Sequence, residues 1–97
     1  MIKVKTQSGF KCEVDERVLS DWRMVDYIGL IDSNDLTKQV EGFRGLVHLL
    51  LGDETKRLEE HIMSKNDGYI PTDIMSEELR EIITSAKELK NSPSSEG

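Results

Sequence analysis

The first fourteen residues, MIKVKTQSGFKCEV (1–14), decide the fold class of this chain. Apolar and polar residues alternate over residues 2–6 and again over 10–14, which is the pattern of two half-buried strands. Between them lies Gln7-Ser8-Gly9, a short polar loop whose glycine can take a positive φ, so the stretch predicts a β-hairpin. An isolated hairpin is marginal in water. Its apolar face must therefore pack on helices, or the hairpin must add to the sheet of another chain.

Helical patterns follow the hairpin. Asp15 can cap a first helix that runs to about Ile31. Its apolar residues are too many for one stripe, so we expect this helix to be covered on more than one side and Trp22 to lie in the core. A second helix is predicted over 35–51, where apolar residues recur at alternating steps of four and three. These are Leu36, Val40, Phe43, Val47 and Leu50.

Two further helices complete the pattern. Gly52 ends the second helix, a third runs from about 53 to 64, and the last begins at 72, 73 or 76 and ends near 89. The sequence thus predicts an α+β, mainly helical single domain over 1–89, with an N-terminal β-hairpin followed by about four α-helices. Residues 90–97 contain no apolar side chain to anchor them and are predicted to form a flexible C-terminal tail.

Composition and charge exclude several function classes. The chain has 19 acidic and 13 basic residues and a net charge of −6, with the basic residues scattered, which disfavours binding to nucleic acid or to an anionic membrane. We expect a cytoplasmic protein, because no signal peptide and no apolar run of about 20 residues occurs. The single cysteine, Cys12, cannot form an internal disulfide and is predicted to be a buried, unreactive side chain.

No constellation of residues indicates catalysis or a cofactor. His48 and His61 lie on different predicted helices without a second ligand one turn away, although a zinc site completed by scattered carboxylates stays open. The segment 32–37 begins like a calcium loop, but Leu36 and Thr37 occupy its fifth and sixth positions. We therefore predict no enzyme activity, no cofactor and no metal-binding residue.

Two glycines interrupt the second predicted helix. Gly42 and Gly45 each cost up to about 1 kcal/mol relative to alanine, so close packing of another backbone is expected to offset them. That backbone is a helix of the same chain or of another subunit. Self-association through this glycine face and the edge of the hairpin is a separate prediction.

The order of these elements resembles a known protein family. The strand at 1–5, the strand at 10–14, the helix start at 15–22, the segment 43–53 and the tail 89–92 together resemble the tail assembly chaperones of long-tailed phages and prophages of Gram-positive bacteria. The resemblance covers essentially the whole chain. It implies a chaperone that coats the tape measure protein in the host cytoplasm, helps to recruit tail tube protein subunits, self-associates and is absent from the finished virion. It also implies a second, longer form made by frameshifting.

The family contributes no individual binding residue, so the candidates come from the helix patterns. A soluble protein that holds a helical client needs an apolar groove with charged surroundings. The second and last helices offer such stripes, and we expect most of their side chains in the core and a minority at an interface. The candidate protein-binding residues are Gly42, Phe43, Gly45, Leu46, Leu49, Leu50, Leu79 and Ile83.

An alternative function follows from the charge alone. A small acidic protein can act as a regulatory or adaptor module, for instance as an inhibitor that mimics nucleic acid and binds a basic host protein.

Overall fold

A computed structural model describes residues 1–91 of the chain. It opens with two antiparallel strands, β1 (Ile2–Lys5) and β2 (Lys11–Val14), in which Val4 lies opposite Cys12. Gly9 takes φ +96° in the connecting loop, as the turn requires of a residue without a Cβ atom. The predicted hairpin is confirmed.

Four α-helices follow the hairpin. They are α1 (Trp22–Ile31), α2 (Leu36–Leu51), α3 (Thr55–Lys65) and α4 (Thr72–Asn91), with short 3₁₀ turns over Glu16–Ser20 and Gly52–Glu54. The predicted α+β, mainly helical class is confirmed. Because α4 continues through Asn91, the first two residues of the predicted tail are helical. Residues 92–97 of that prediction lie outside the described residues. Over residues 1–91, no helix combines the length and the apolar composition that crossing a membrane requires.

The first predicted helix is divided in two, and the prediction of one continuous helix is wrong. Asp21 has an extended backbone, and its carboxylate accepts a hydrogen bond from the backbone N–H of Arg23 at 2.8 Å. This side-chain cap starts a new helix at Trp22, while Asp15 caps the preceding 3₁₀ turn in the same way through the N–H of Arg17. Asp21 thus separates the 3₁₀ turn over Glu16–Ser20 from α1.

The core lies between the hairpin and the helices. The hairpin packs on α2 and α4 of the same chain, so its apolar face needs no second subunit. Cys12 is buried there, as predicted, and burial followed by the charge of Glu54 raises the pKa of its thiol to about 11. The largest fully buried side chains are Val14, Leu58, Ile62, Leu79 and Ile82.

The two glycines of α2 form a seam with α1. A Cβ atom on Gly42 would lie 2.7 Å from the backbone oxygen of Tyr27, and one on Gly45 would overlap the ring of Tyr27. The glycines thus allow α1 and α2 to approach more closely than side chains would permit. Of the two alternatives for this face, packing within one chain is confirmed, and the face is not available for contact between subunits.

Candidate protein-binding site

Helix α1 turns apolar side chains toward solvent. Trp22, Val25 and Ile28 recur every three residues along it, and Trp22 is 76% exposed and Val25 59% exposed. We call these three residues the apolar row. The prediction that Trp22 lies in the core is wrong, since the side chain of this first residue of α1 is exposed to solvent. The expected coverage of this helix on more than one side is wrong as well, since Met24 is its one buried residue.

The apolar row leads into a groove between α1, α2 and α4. Phe43 is one of its lining residues, and the groove, which we call the Phe43 groove, has a volume of about 240 Å³. Since an apolar cavity of about 150 Å³ can hold benzene, this groove can receive an apolar side chain. Its apolar lining consists of Ile28, Ile31, Phe43, Leu46, Leu79 and Ile83.

A second groove lies on the other side of Phe43. It runs between α2, α3 and the segment that enters α4, has a volume of about 340 Å³, and is called here the Met75 groove. Its apolar lining consists of Val40, Phe43, Val47, Ile70 and Met75. Because Phe43 lines both grooves and Ile28 belongs to both the row and the Phe43 groove, the three features form one connected apolar surface.

The eight candidate residues are distributed over this surface and the core beneath it. Four of them, Phe43, Leu46, Leu79 and Ile83, line the Phe43 groove together, although they come from helices that are far apart in sequence. Gly42 and Gly45 pack against α1, as described above.

Leu49 and Leu50 line neither groove. Leu50, like Gly42, Leu46 and Leu79, is buried, whereas Phe43, Gly45, Leu49 and Ile83 are half-buried. The buried members offer little surface to a partner, so Phe43 and Ile83 are the two members of this set that both line the groove and stay half-buried. That these residues bind another protein stays a prediction.

Charged groups border the apolar surface. Beside Trp22, the Arg23 guanidinium pairs with the Asp21 carboxylate at 2.8 Å. The side-chain hydrogen bond from Arg23, and then that from its backbone N–H, lowers the pKa of Asp21 to about 2. Asp32 and Arg80 are also among the residues that line the Phe43 groove. An apolar strip bordered by charges of both signs stays hydrated when it is unoccupied.

One pair of side chains has the look of a catalytic site. Ser8 Oγ and His61 Nε2 are 2.9 Å apart, which is the distance between a nucleophile and its base. The Ser8 hydroxyl is also 3.1 Å from that of Thr6, and the His61 ring is stacked at a tilt on Phe10. All these partners belong to the hairpin turn and α3, so the pair fastens the turn to that helix. Sequence analysis missed it because 53 residues separate the two side chains.

The histidines lie apart from each other and from any cluster of ligands. His48 borders the Met75 groove on α2, while His61 faces the hairpin turn. Within residues 1–91, no three His, Cys, Asp or Glu side chains are grouped closely enough to hold a metal ion. The open alternative of a zinc site between the two histidines thus has no set of ligands in this part of the chain.

The main surface feature that the sequence analysis missed is the apolar row. The available signal was Asp21, whose side chain is of the type that starts helices and which precedes an apolar residue. Comparison of the chain with models of known protein families, with curated proteins and with solved structures finds no match.

Proposed function

We propose that this chain is a non-catalytic chaperone that holds an apolar helical segment of another protein on the apolar row and the Phe43 groove. The observation that carries the proposal is the exposure of Trp22 and Val25 beside a groove lined by apolar side chains. Contiguous exposed apolar surface marks sites of protein–protein contact, and tryptophan is enriched among the residues that dominate binding energies.

An amphipathic helix fits this surface. Such a helix presents anchors at i, i+3, i+4 and i+7, and the apolar row repeats every three residues along α1. Ile28 connects the row to the groove, so one anchor enters beside Phe43 while the next ones contact Val25 and Trp22. Asp32 and Arg80 then pair with charges at the edge of the bound helix.

The resemblance of the element order to phage tail assembly chaperones supports a specific client. On that basis the client is the tape measure protein of a long-tailed phage, a long helical polypeptide that aggregates when its apolar stripes are exposed, and tail tube subunits are recruited around the complex. A chain of net charge −6 that covers such stripes keeps the complex soluble.

Co-expression with the tape measure protein tests this function. The intact chain is expected to raise the soluble fraction of the client and to co-elute with it in size exclusion, and the W22S/V25S double variant is expected to lose both effects. The control is Y69S. Tyr69 is 73% exposed, which is close to the 76% of Trp22, but it lies outside the row and both grooves. A client that is equally insoluble with and without this chain contradicts the proposal.

Salt dependence separates this function from the acidic adaptor. Apolar binding persists in about 1 M salt, where the Debye length is about 3 Å, whereas binding of a basic protein by surface carboxylates is lost. A complex that dissociates in high salt and is insensitive to W22S/V25S favours the adaptor.

A further inference from the structure

A second surface of opposite chemistry lies on the outer face of the hairpin. Lys3 and Lys5 of β1 and Lys11 of β2 point away from the core and are exposed. Arg57 of α3 joins them, and the open groove that they border has a volume of about 540 Å³. We call these four residues the basic sheet face. It concentrates four cations on a chain whose net charge is −6.

The arrangement of the lysines is unfavourable for the hairpin by itself. Lys3 lies opposite Glu13 in the antiparallel register, but Lys5 lies directly opposite Lys11, so two like charges share that cross-strand position. Among the described residues, none of the three lysines is within ion-pair distance of a carboxylate. An anion placed between Lys5 and Lys11 would relieve this repulsion.

Arg57 is held in position before any partner arrives. Its Nη1 atom is 2.9 Å from Glu54 Oε1, its Nη2 atom donates a 2.6 Å hydrogen bond to the Lys11 carbonyl, and its guanidinium lies 5.1 Å from the centre of the Phe10 ring. A cation fixed in this way loses little conformational entropy on binding. The face therefore combines one rigid donor with three adaptable ones.

We propose that the basic sheet face binds an extended, carboxylate-rich segment of a partner protein. Lys3 and Lys5 are two residues apart on one strand, so their side chains repeat at about 7 Å along it. An extended peptide with carboxylates at every second residue has the same repeat. One such carboxylate pairs with Lys5 and Lys11 together, and the next pairs with Lys3, whose cross-strand neighbour is Glu13.

The composition of the face favours a peptide over a nucleic acid. Its lining includes the carboxylates of Glu13 and Glu54, which repel a continuous phosphate backbone. Among the described residues that line it, no aromatic ring is available to stack a base. A peptide carries carboxylates at selected residues only, so it can place one between Lys5 and Lys11, two residues along β2 from Glu13.

Two matched charge reversals test the proposal by fluorescence anisotropy. The probe is a labelled eight-residue peptide of alternating Glu and Thr, with the Gln–Thr peptide as the uncharged control. The K5E variant is expected to weaken binding by about tenfold or more, and K38E, which makes the same change of net charge at an exposed site on α2, by less than about threefold. Thermal unfolding of K5E is expected at or above the temperature of the unmodified chain, because the new carboxylate faces Lys11.

Three results overturn the proposal. They are equal binding of the two peptides, equal weakening by K5E and K38E, and tighter binding of an eight-nucleotide single-stranded DNA than of the acidic peptide. The W22S/V25S variant is expected to bind the acidic peptide as the unmodified chain does. If co-expression with the tape measure protein fails, the peptide-binding proposal is therefore unaffected. If the peptide does not bind, the proposed chaperone function is likewise unaffected.

Discussion

Replacing Gly42 with alanine tests whether α1 is positioned by the glycine seam. The added Cβ atom would lie 2.7 Å from the backbone oxygen of Tyr27 and 2.9 Å from Leu30 Cβ. Both atoms are fixed to the backbone of α1, so the clash is relieved only if the helix moves away. Overpacking of this kind costs about 1–3 kcal/mol, while alanine recovers about 1 kcal/mol of helix propensity. We expect the free energy of unfolding to fall by about 1 kcal/mol.

Replacing a matched glycine on α1 is expected to change the free energy of unfolding in the opposite direction. Gly29 lies on the exposed side of α1, and a Cβ atom there would meet no other heavy atom within 4 Å. Gly29→Ala therefore gains helix propensity without a clash, and we expect the free energy of unfolding to rise by about 1 kcal/mol. The two variants make the same chemical change in adjacent helices, so their difference of about 2 kcal/mol measures the seam alone.

Urea unfolding followed by far-ultraviolet circular dichroism gives both free energies. With equal slopes, the midpoint for Gly42→Ala should lie below that of the unmodified chain and the midpoint for Gly29→Ala above it. In thermal unfolding each shift of about 1 kcal/mol corresponds to about 4–8 °C for a domain of this size. If Gly42→Ala were as stabilising as Gly29→Ala, the close approach of α1 and α2 would not exist, and the placement of the apolar row on α1 would lose its support.

Three further predictions use single side chains. Trp22 is the only tryptophan, so the folded protein should emit near the wavelength of free tryptophan and be strongly quenched by acrylamide; a blue-shifted, protected emission would contradict its exposure. Cys12 should fail to react with a thiol reagent at pH 8 until the protein unfolds, since its pKa is raised to about 11; prompt reaction in buffer would refute its burial. Asp21 contributes stability that is complete above its unfolded pKa near 4 and is lost as the pH falls toward about 2. Asp21→Asn should therefore keep the cap but flatten the pH dependence between 4 and 2, and an unchanged profile would count against the Arg23 ion pair.

The parts of the fold that the sequence predicts are those set by local patterns. The hairpin follows from the alternation of apolar residues around Gly9, and α2 follows from the steps of four and three that end at Leu50, shortly before Gly52. Each of these signals lies within about fifteen residues and needs no knowledge of distant contacts. The end of α3 and the start of α4 lie on either side of a turn in which Asp67 and Gly68, residue types that are typical of turns, take positive φ.

The exposure of individual side chains depended on contacts that the sequence does not contain. Leu36 and Val40 belong to the same apolar stripe as Val47, yet they are exposed while Val47 is buried. The stripe predicted the helix correctly, but its first two members lie on the N-terminal turns of α2, where their side chains are not covered. The number of apolar residues in α1 likewise led to a prediction of burial. That prediction was wrong because a count along the chain cannot show that no element covers the side of α1 that carries Trp22.

The two proposed surfaces lie on different elements, and they would bind their partners by different interactions, apolar contact in one case and ion pairs in the other. The apolar row and the Phe43 groove are built by α1, α2 and α4 and depend on the seam at Gly42, whereas the basic sheet face is built by β1, β2 and α3. Substitutions without shared contacts act independently, so a chain that lacks one activity should keep the other. Apolar binding would survive high salt, and binding at Lys5 and Lys11 would not. A chain with both surfaces can hold an apolar helix on one side while an acidic segment of another protein attaches to its hairpin, and rising salt would release the second partner while the first stays bound.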